Sequence, residues 1–248
     1  MKDMKIGIQL YTIREPLQQD FKGVLKELAK LGCDGVEFAF NFGGMEPDEL
    51  AAFMKSLGLN TCGMHVRATD FDDPNNKTFD YAKALGCRYV TISRCGKFSE
   101  ILDDVVAQCA QVGKAAAERG LQFTYHNHAA EFEKIGGEYA LDLIYQRTNP
   151  CEVKAELDVY WVKKGGECPV RYIRKYTDRL PQIHMKDMDR EDGSFTELGT
   201  GTVDLPGCVE AARDTICEWL IYEQDVCKRP QFESAKISLE YLKKLLGR

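Results

Sequence analysis

Histidine is scarce in this chain, four in 248 residues, and two of the four are separated by a single residue in "YHNH", residues 125–128. The other two, His65 in "MHV" and His184 in "QIHMKD", also close short apolar runs, and carboxylates close others: Glu37 in "GVEF", Asp158 in "ELDVYW" and Glu223 in "IYEQD". Asp158, His184 and Glu223 are the most informative. Each lies among apolar neighbours that argue for burial, and a buried carboxylate must be protonated, matched by a cation or bound to a metal. Imidazole mixed with carboxylate suits Mn, Zn, Co or Fe more than Ca or Mg. Metal ligation is the stronger expectation, and ion pairing with Lys154, Lys186 or an arginine is the plainer alternative.

Such side chains do chemistry only if the fold gathers them, and a repeat indicates how. In "LAKLGCDGVEFAF", "MKSLGLNTCGMHV", "YAKALGCRYVTIS" and "AAERGLQFTYHNH" a helical pattern ends in a glycine (Gly32, Gly58, Gly86, Gly120), and a short apolar run follows. Glycine accepts the left-handed conformation that closes a helix and lets the chain turn into a strand. Upstream, Phe21, Val24, Leu25, Leu28 and Leu31 recur at helical spacing, as do Leu50, Phe53, Met54 and Leu57 after Pro47. The downstream runs are nearly continuous and rich in β-branched and aromatic residues, which suits parallel strands covered on both faces.

Eight strands are expected, in "IGIQLYT", "GVEFAF", "NTCGMHV", "RYVTIS", "QFTYHNH", "VKAELDVYW", "PQIHMKD" and "WLIYEQD", with helices between them and a last helix in "SAKISLEYLKKLL". This alternation over about 250 residues predicts one (β/α)8 barrel spanning 1–248. An open doubly wound sheet shares the alternation, but it wants a glycine-rich loop after its first strand, and "IQLYTIREP" has none. In a barrel, chemistry collects at the C-terminal strand ends. Those ends read Gln9 and Tyr11, Glu37, His65, Ser93, His126 and His128, Asp158, His184 with Lys186, and Glu223 with Asp225, so all four histidines are among them. Alternation points His126 and His128 to one side and Asn127 away.

The totals exclude several classes. With a net charge of −6 and no Lys/Arg cluster longer than two, the chain lacks the field that attracts a phosphate backbone, so nucleic acid is not an expected partner. No apolar run approaches the roughly 18–20 residues of a membrane helix, and the N-terminus does not read as a signal peptide. Ten cysteines scattered singly, without a CxxC pair, read as free thiols in a reducing compartment, so a cytoplasmic location is expected.

The chain resembles the xylose-isomerase-like barrels of the sugar phosphate isomerase/epimerase superfamily. The likeness runs through "IGIQLYTIRE", "GVEF", "YHNHAAEF", "ELDVYW", "HMKD", "GTGTVDL" and "IYEQD", in that order, over nearly its whole length. The resemblance implies a divalent metal at the barrel mouth (Mn, Zn, Co or Fe) held by Asp158, His184 and Glu223. It departs at His126, which stands where many members have a metal-binding glutamate. His126 itself, Glu131 reaching back, or water would then complete the site.

The resemblance also implies a small-molecule carbohydrate substrate and proton transfer next to its carbonyl. In that scheme Glu223 orients the metal and acts on the proton, His126, His128 or Glu131 takes the second role, and Lys186 stabilises developing oxyanion charge. Gln9, Glu37 and His65 would contact hydroxyls, and Trp161 or Phe38 would pack against a sugar face. The plainer readings are ion pairs for Glu37 and Lys186, and core positions for His65 and Trp161. "GTGTVDL" is either a phosphate loop or a tight turn before a helix starting near Asp204.

The expected function is a metal-dependent isomerase or epimerase. Histidine in place of glutamate also suits a step needing one acid and one base, so a lyase, dehydratase or hydrolase acting on keto-sugars or keto-inositols is the alternative. A non-catalytic carbohydrate-binding protein is a third reading. An abasic-DNA endonuclease would need a basic groove and more zinc ligands. A homo-oligomer is compatible with everything above.

Overall fold

A computed structural model describes residues 3–248. The four glycines of the repeat take left-handed conformations, with φ of 73° at Gly32, 69° at Gly58, 59° at Gly86 and 71° at Gly120. Each closes a helix, and the strand that follows joins one closed, wholly parallel sheet. Its strands are β1 (Lys5–Gln9), β2 (Gly35–Ala39), β3 (Asn60–His65), β4 (Tyr89–Ser93), β5 (Gln122–His126), β6 (Val153–Asp158), β7 (Gln182–Met185) and β8 (Trp219–Tyr222). Neighbours in sequence are neighbours in space, and β8 pairs back onto β1. The molecule is therefore a (β/α)8 barrel.

The strands are shorter than the apolar runs that announced them, for local reasons. After β1 the chain winds into the 3-10 turn Leu10–Ile13, with the Gln9 side chain accepting from the Tyr11 N–H. After β6, Asp158 caps the helix Val159–Lys164, accepting from the Tyr160 and Trp161 N–H groups through Oδ1 at 2.9 and 3.1 Å. That cap turns the last residues of "ELDVYW" from expected strand into helix. β5 ends at His126, so His128 lies on the loop beyond it.

Alternation along the strands sorts the side chains. Ile6 and Ile8, Val36 and Phe38, Phe123 and Tyr125, and Ile183 and Met185 join the main apolar core. Cys62, Tyr89, Trp219 and Ile221 form a separate apolar cluster that plugs the barrel's lower interior. Above this plug the interior turns polar, and the change needs space. Gly63 on β3 supplies it, because a Cβ there would meet Glu37 Oε1 at 2.4 Å and Gln182 Nε2 at 2.6 Å. None of the ten cysteines is joined in a disulfide. Among the described residues no helix is long and apolar enough to cross a membrane.

Candidate metal centre

At the upper end of the barrel, β5 to β8 bring four donors together. His126, Asp158, His184 and Glu223 each offer one ligand atom, and these atoms all lie within 4.8 Å of one another. Asp158 has only one oxygen to give, since Oδ1 is committed to the helix cap. Its Oδ2 is buried and has no hydrogen bond of acceptable geometry. The near neighbour is Lys186 Nζ at 2.9 Å, a short charge contact with poor bond direction. Glu223 Oε2 lies 2.9 Å from His184 Nδ1 and 2.7 Å from Lys186 Nζ. Two imidazoles and two carboxylates, one with an orphaned inward oxygen, fit a Zn, Mn, Co or Fe ion.

A second carboxylate layer lies beneath. Glu156 Oε1 stands 3.1 Å from His126 Nδ1, 3.0 Å from His65 Nε2 and 3.2 Å from His184 Nε2, while Oε2 accepts from the Thr91 hydroxyl at 3.1 Å. Glu37 Oε2 accepts from His184 Nε2 and Gln9 Nε2, both at 2.7 Å. Burial raises the Glu156 carboxyl, but the charges of His184 and His65 outweigh it and hold Glu156 well below the usual range. An ionised carboxylate only accepts, so the imidazole nitrogens facing it carry hydrogens. His126 Nε2 is thereby left as the metal-binding nitrogen.

His65, His126, Glu156 and His184 form a second group of donor atoms within the same 4.8 Å limit. Those atoms are already satisfied, since His65 and His126 bond to Glu156 and His184 Nε2 bonds to Glu37. The upper group, with Asp158 Oδ2 unbonded, is the one that gains more from a cation.

The titrations follow from the packing. Burial lowers His184, yet Glu156, Glu37 and Glu223 together raise it well above its ordinary value, consistent with its two nitrogens each facing a carboxylate. Burial lowers His65 as well, and Glu156 and Glu37 bring it up to about 10. His126 is pushed down to about 4, chiefly by burial. Burial disfavours the Lys186 ammonium, but Asp158, Glu223 and Asp225 override it and leave Lys186 firmly charged. So held, Lys186 donates and cannot serve as an amine nucleophile.

The other expected site residues sort clearly. Gln9 and Glu37 are buried and bonded to each other, so they support the histidines from below. His65 spans the two layers and is partly exposed. His128 and Trp161 sit at the mouth with ring centroids 5.4 Å apart, and His128 Nδ1 and Trp161 Nε1 both lack partners. Glu131 is not brought to the donors. Its oxygens accept from the Tyr125 hydroxyl and the His128 N–H, both at 2.9 Å. Phe38 is wholly buried in the core.

The "GTGTVDL" loop is filled by the chain itself. Asp187 accepts from the Gly199, Gly201 and Val203 N–H groups at 3.0 Å each, and the helix Leu205–Arg213 follows with Asp204 as its cap. It is therefore a tight turn, already occupied by a carboxylate.

Glu156 is the residue that the sequence reading missed. The signal was present, since Glu156 and Asp158 are two apart on one strand and must face the same side.

Comparison with known proteins agrees with the barrel fold. Inosose dehydratase from Lacticaseibacillus casei is 28% identical over 266 aligned positions, covering 90% of this chain and 88% of that protein. A sugar phosphate isomerase/epimerase structure from Parabacteroides distasonis superposes with a TM-score of 0.81 at 24% identity, over 98% of this chain and 94% of that one. The structure of an IolI protein with a bound zinc atom gives a TM-score of 0.77 at 15% identity, over 98% of both chains. The model of the xylose isomerase-like TIM barrel matches residues 25–245. The chain belongs to the xylose isomerase-like TIM barrel family, and it is an enzyme of that family.

Proposed function

We propose that this enzyme is a metal-dependent isomerase or epimerase that moves a proton next to the carbonyl of a sugar or sugar derivative. The observation that carries the reading is the convergence of His126, Asp158, His184 and Glu223 donors within 4.8 Å at the barrel mouth, with a charged Lys186 against two of them. A divalent ion held by these four residues would polarise the carbonyl and favour the negative charge that develops on its oxygen. Lys186 Nζ donates a hydrogen bond to that oxygen. Trp161 Nε1 and His128 Nδ1, both without protein partners, meet substrate hydroxyls at the mouth. His128 is brought down to about 4, first by burial and then by His126, so it is neutral near pH 7, with a lone pair free to accept a hydrogen bond. In this reading Glu223 also acts on the proton.

One observation favours a second outcome of the same proton removal. The fifth strand carries an imidazole, not a carboxylate, and Glu131 turns away from the donors. One acid and one base suit loss of a hydroxyl β to the carbonyl, the chemistry of a dehydratase or lyase on a keto-sugar or keto-inositol. The inosose dehydratase relative supports that reading.

Proton NMR in D2O with the metal-loaded enzyme tests both. Ketoses, 3-keto-glycosides and a keto-inositol are the substrates to compare. Deuterium next to the carbonyl with a changed stereocentre supports the isomerase, and an elimination product supports the dehydratase. No exchange with any of them overturns both.

A further inference from the structure

A second feature of the mouth plays no part in the metal centre. Phe40, just beyond β2, is the only non-glycine residue with positive φ among those described, at 59°. For a bulky side chain this conformation is an outlier, and such strain gathers at ligand sites. It does not serve burial, because Phe40 is 52% exposed. An exposed ring contributes little to folding, since an aromatic side chain stabilises chiefly by leaving water. The ring is met by Arg67, whose guanidinium stands 4.9 Å from the ring centre.

The ring borders a cavity of about 340 Å3, lined also by His65, Arg67, Thr69, Ser93 and Arg94, with no carboxylate in its wall. Arg94 is steadied by Gln108, to which Nη1 donates at 3.2 Å. His65 is the partition between this cavity and the metal centre. Its ring lies 5.5 Å from that of His126 and 5.9 Å from that of His184, and its Nε2 is turned to Glu156. The cavity is therefore one imidazole away from the proposed reacting centre, beyond the ends of the adjacent strands β2, β3 and β4.

We propose that this cavity is a second sugar subsite, which binds a ring joined to the one that reacts. The substrate is then a disaccharide or a similar glycoside and not a free monosaccharide. This rests on reading the metal centre as a sugar site. A pyranose has an apolar C–H face and a rim of hydroxyls. Phe40 supplies a flat apolar surface for the first, and the Arg67 and Arg94 guanidiniums with the Ser93 and Thr69 hydroxyls supply partners for the second. The volume is at the lower end of the roughly 300–1,000 Å3 typical of ligand pockets, which suits one ring. A simple anion would use the guanidiniums but has no need of an exposed aromatic ring held in a strained conformation.

The test is calorimetric titration of the metal-loaded full chain with cellobiose, maltose and sucrose, against the methyl glycosides of their component sugars. At least one disaccharide is expected to bind about tenfold or more tightly than either component. Phe40→Gly and Arg67→Met should each remove most of that gain while changing the component's affinity less than about twofold. Phe40→Gly relieves the strained φ, so it should melt no lower than the parent even as the gain is lost. Component sugars that bind with no disaccharide gain, or a gain that survives both substitutions, would overturn the subsite and leave the metal-centre reading standing. If none of the sugars binds, the sugar reading falls and the subsite with it.

Discussion

Lys186 Nζ lies 2.9 Å from Asp158 Oδ2, the only inward-facing oxygen of that carboxylate, in a setting where both side chains are almost wholly buried. The same ammonium touches Glu223 at 2.7 Å and Asp225 at 2.8 Å. In the metal-free protein Lys186 is thus a cation shared by three carboxylates, with His184 also facing Glu223. Lys186→Met is expected to destabilise the metal-free protein by about 3–5 kcal/mol, because it leaves buried charge unpaired. Added Zn2+ or Mn2+ supplies the missing charge, so it should raise the melting temperature of the variant more than that of the parent. Equal increments would show that Lys186 is not the counter-ion.

Glu156 is expected to matter through the histidines it holds. Its Oε1 collects nitrogens of His65, His126 and His184 within 3.2 Å. Glu156→Gln leaves one carbonyl oxygen for that work, and metal affinity should fall about 10–100-fold. Nitrogen-15 NMR of the imidazoles should show His126 losing its single tautomer. Unchanged affinity and unchanged imidazole shifts would mean that other contacts orient the ring.

The affinity for metal should depend on pH in a defined sense. His184 Nδ1 faces Glu223 and Nε2 faces Glu37, and the ring is held protonated well above its ordinary range. Ligation through Nδ1 requires that proton to leave, whereas His126, at about 4, has none to give near pH 7. One proton per metal bound makes affinity rise about tenfold per pH unit through neutrality. Calorimetry in buffers of different ionisation enthalpy counts the proton directly, and a count of zero would exclude His184 Nδ1 as a ligand.

Burial raises the Glu131 carboxyl from 4.5 to about 7, with the Tyr125 and His128 hydrogen bonds opposing it. The folded state therefore keeps a proton that the unfolded chain releases, so this contribution to stability is present below the unfolded value and is lost as pH rises through about 7. The span corresponds to roughly 3 kcal/mol. Urea unfolding of the parent should show that decline, and Glu131→Gln should flatten it. An equal slope in both would assign the decline to another group.

Gly63→Ala places a Cβ 2.4 Å from Glu37 Oε1 and 2.6 Å from Gln182 Nε2, both fully buried. The expected cost is about 1–3 kcal/mol, because the polar layer has no free space in which to relax. Metal affinity should fall with stability, since Glu37 holds His184. A variant as stable as the parent would show that Glu37 moves freely.

The sequence by itself determined the barrel. Helix-closing glycines at 32, 58, 86 and 120, each followed by an apolar run, leave a chain of this length few other ways to bury every strand on two faces. It also determined that the histidines and the carboxylates at 37, 158 and 223 belong to the strand ends, because strand ends follow from local pattern.

The tertiary structure alone decided what each group is bonded to. "YHNH" shows two histidines two residues apart, but the strand stops between them, and only packing places His126 on Glu156 and His128 beside Trp161. Glu131, five residues beyond His126, was a candidate ligand by proximity in sequence, yet the loop turns its carboxylate back onto Tyr125. Glu156 was invisible as a hub, since its partners come from β3, β4, β5 and β7, and pairing across a barrel depends on shear and side-chain volume that no short segment encodes.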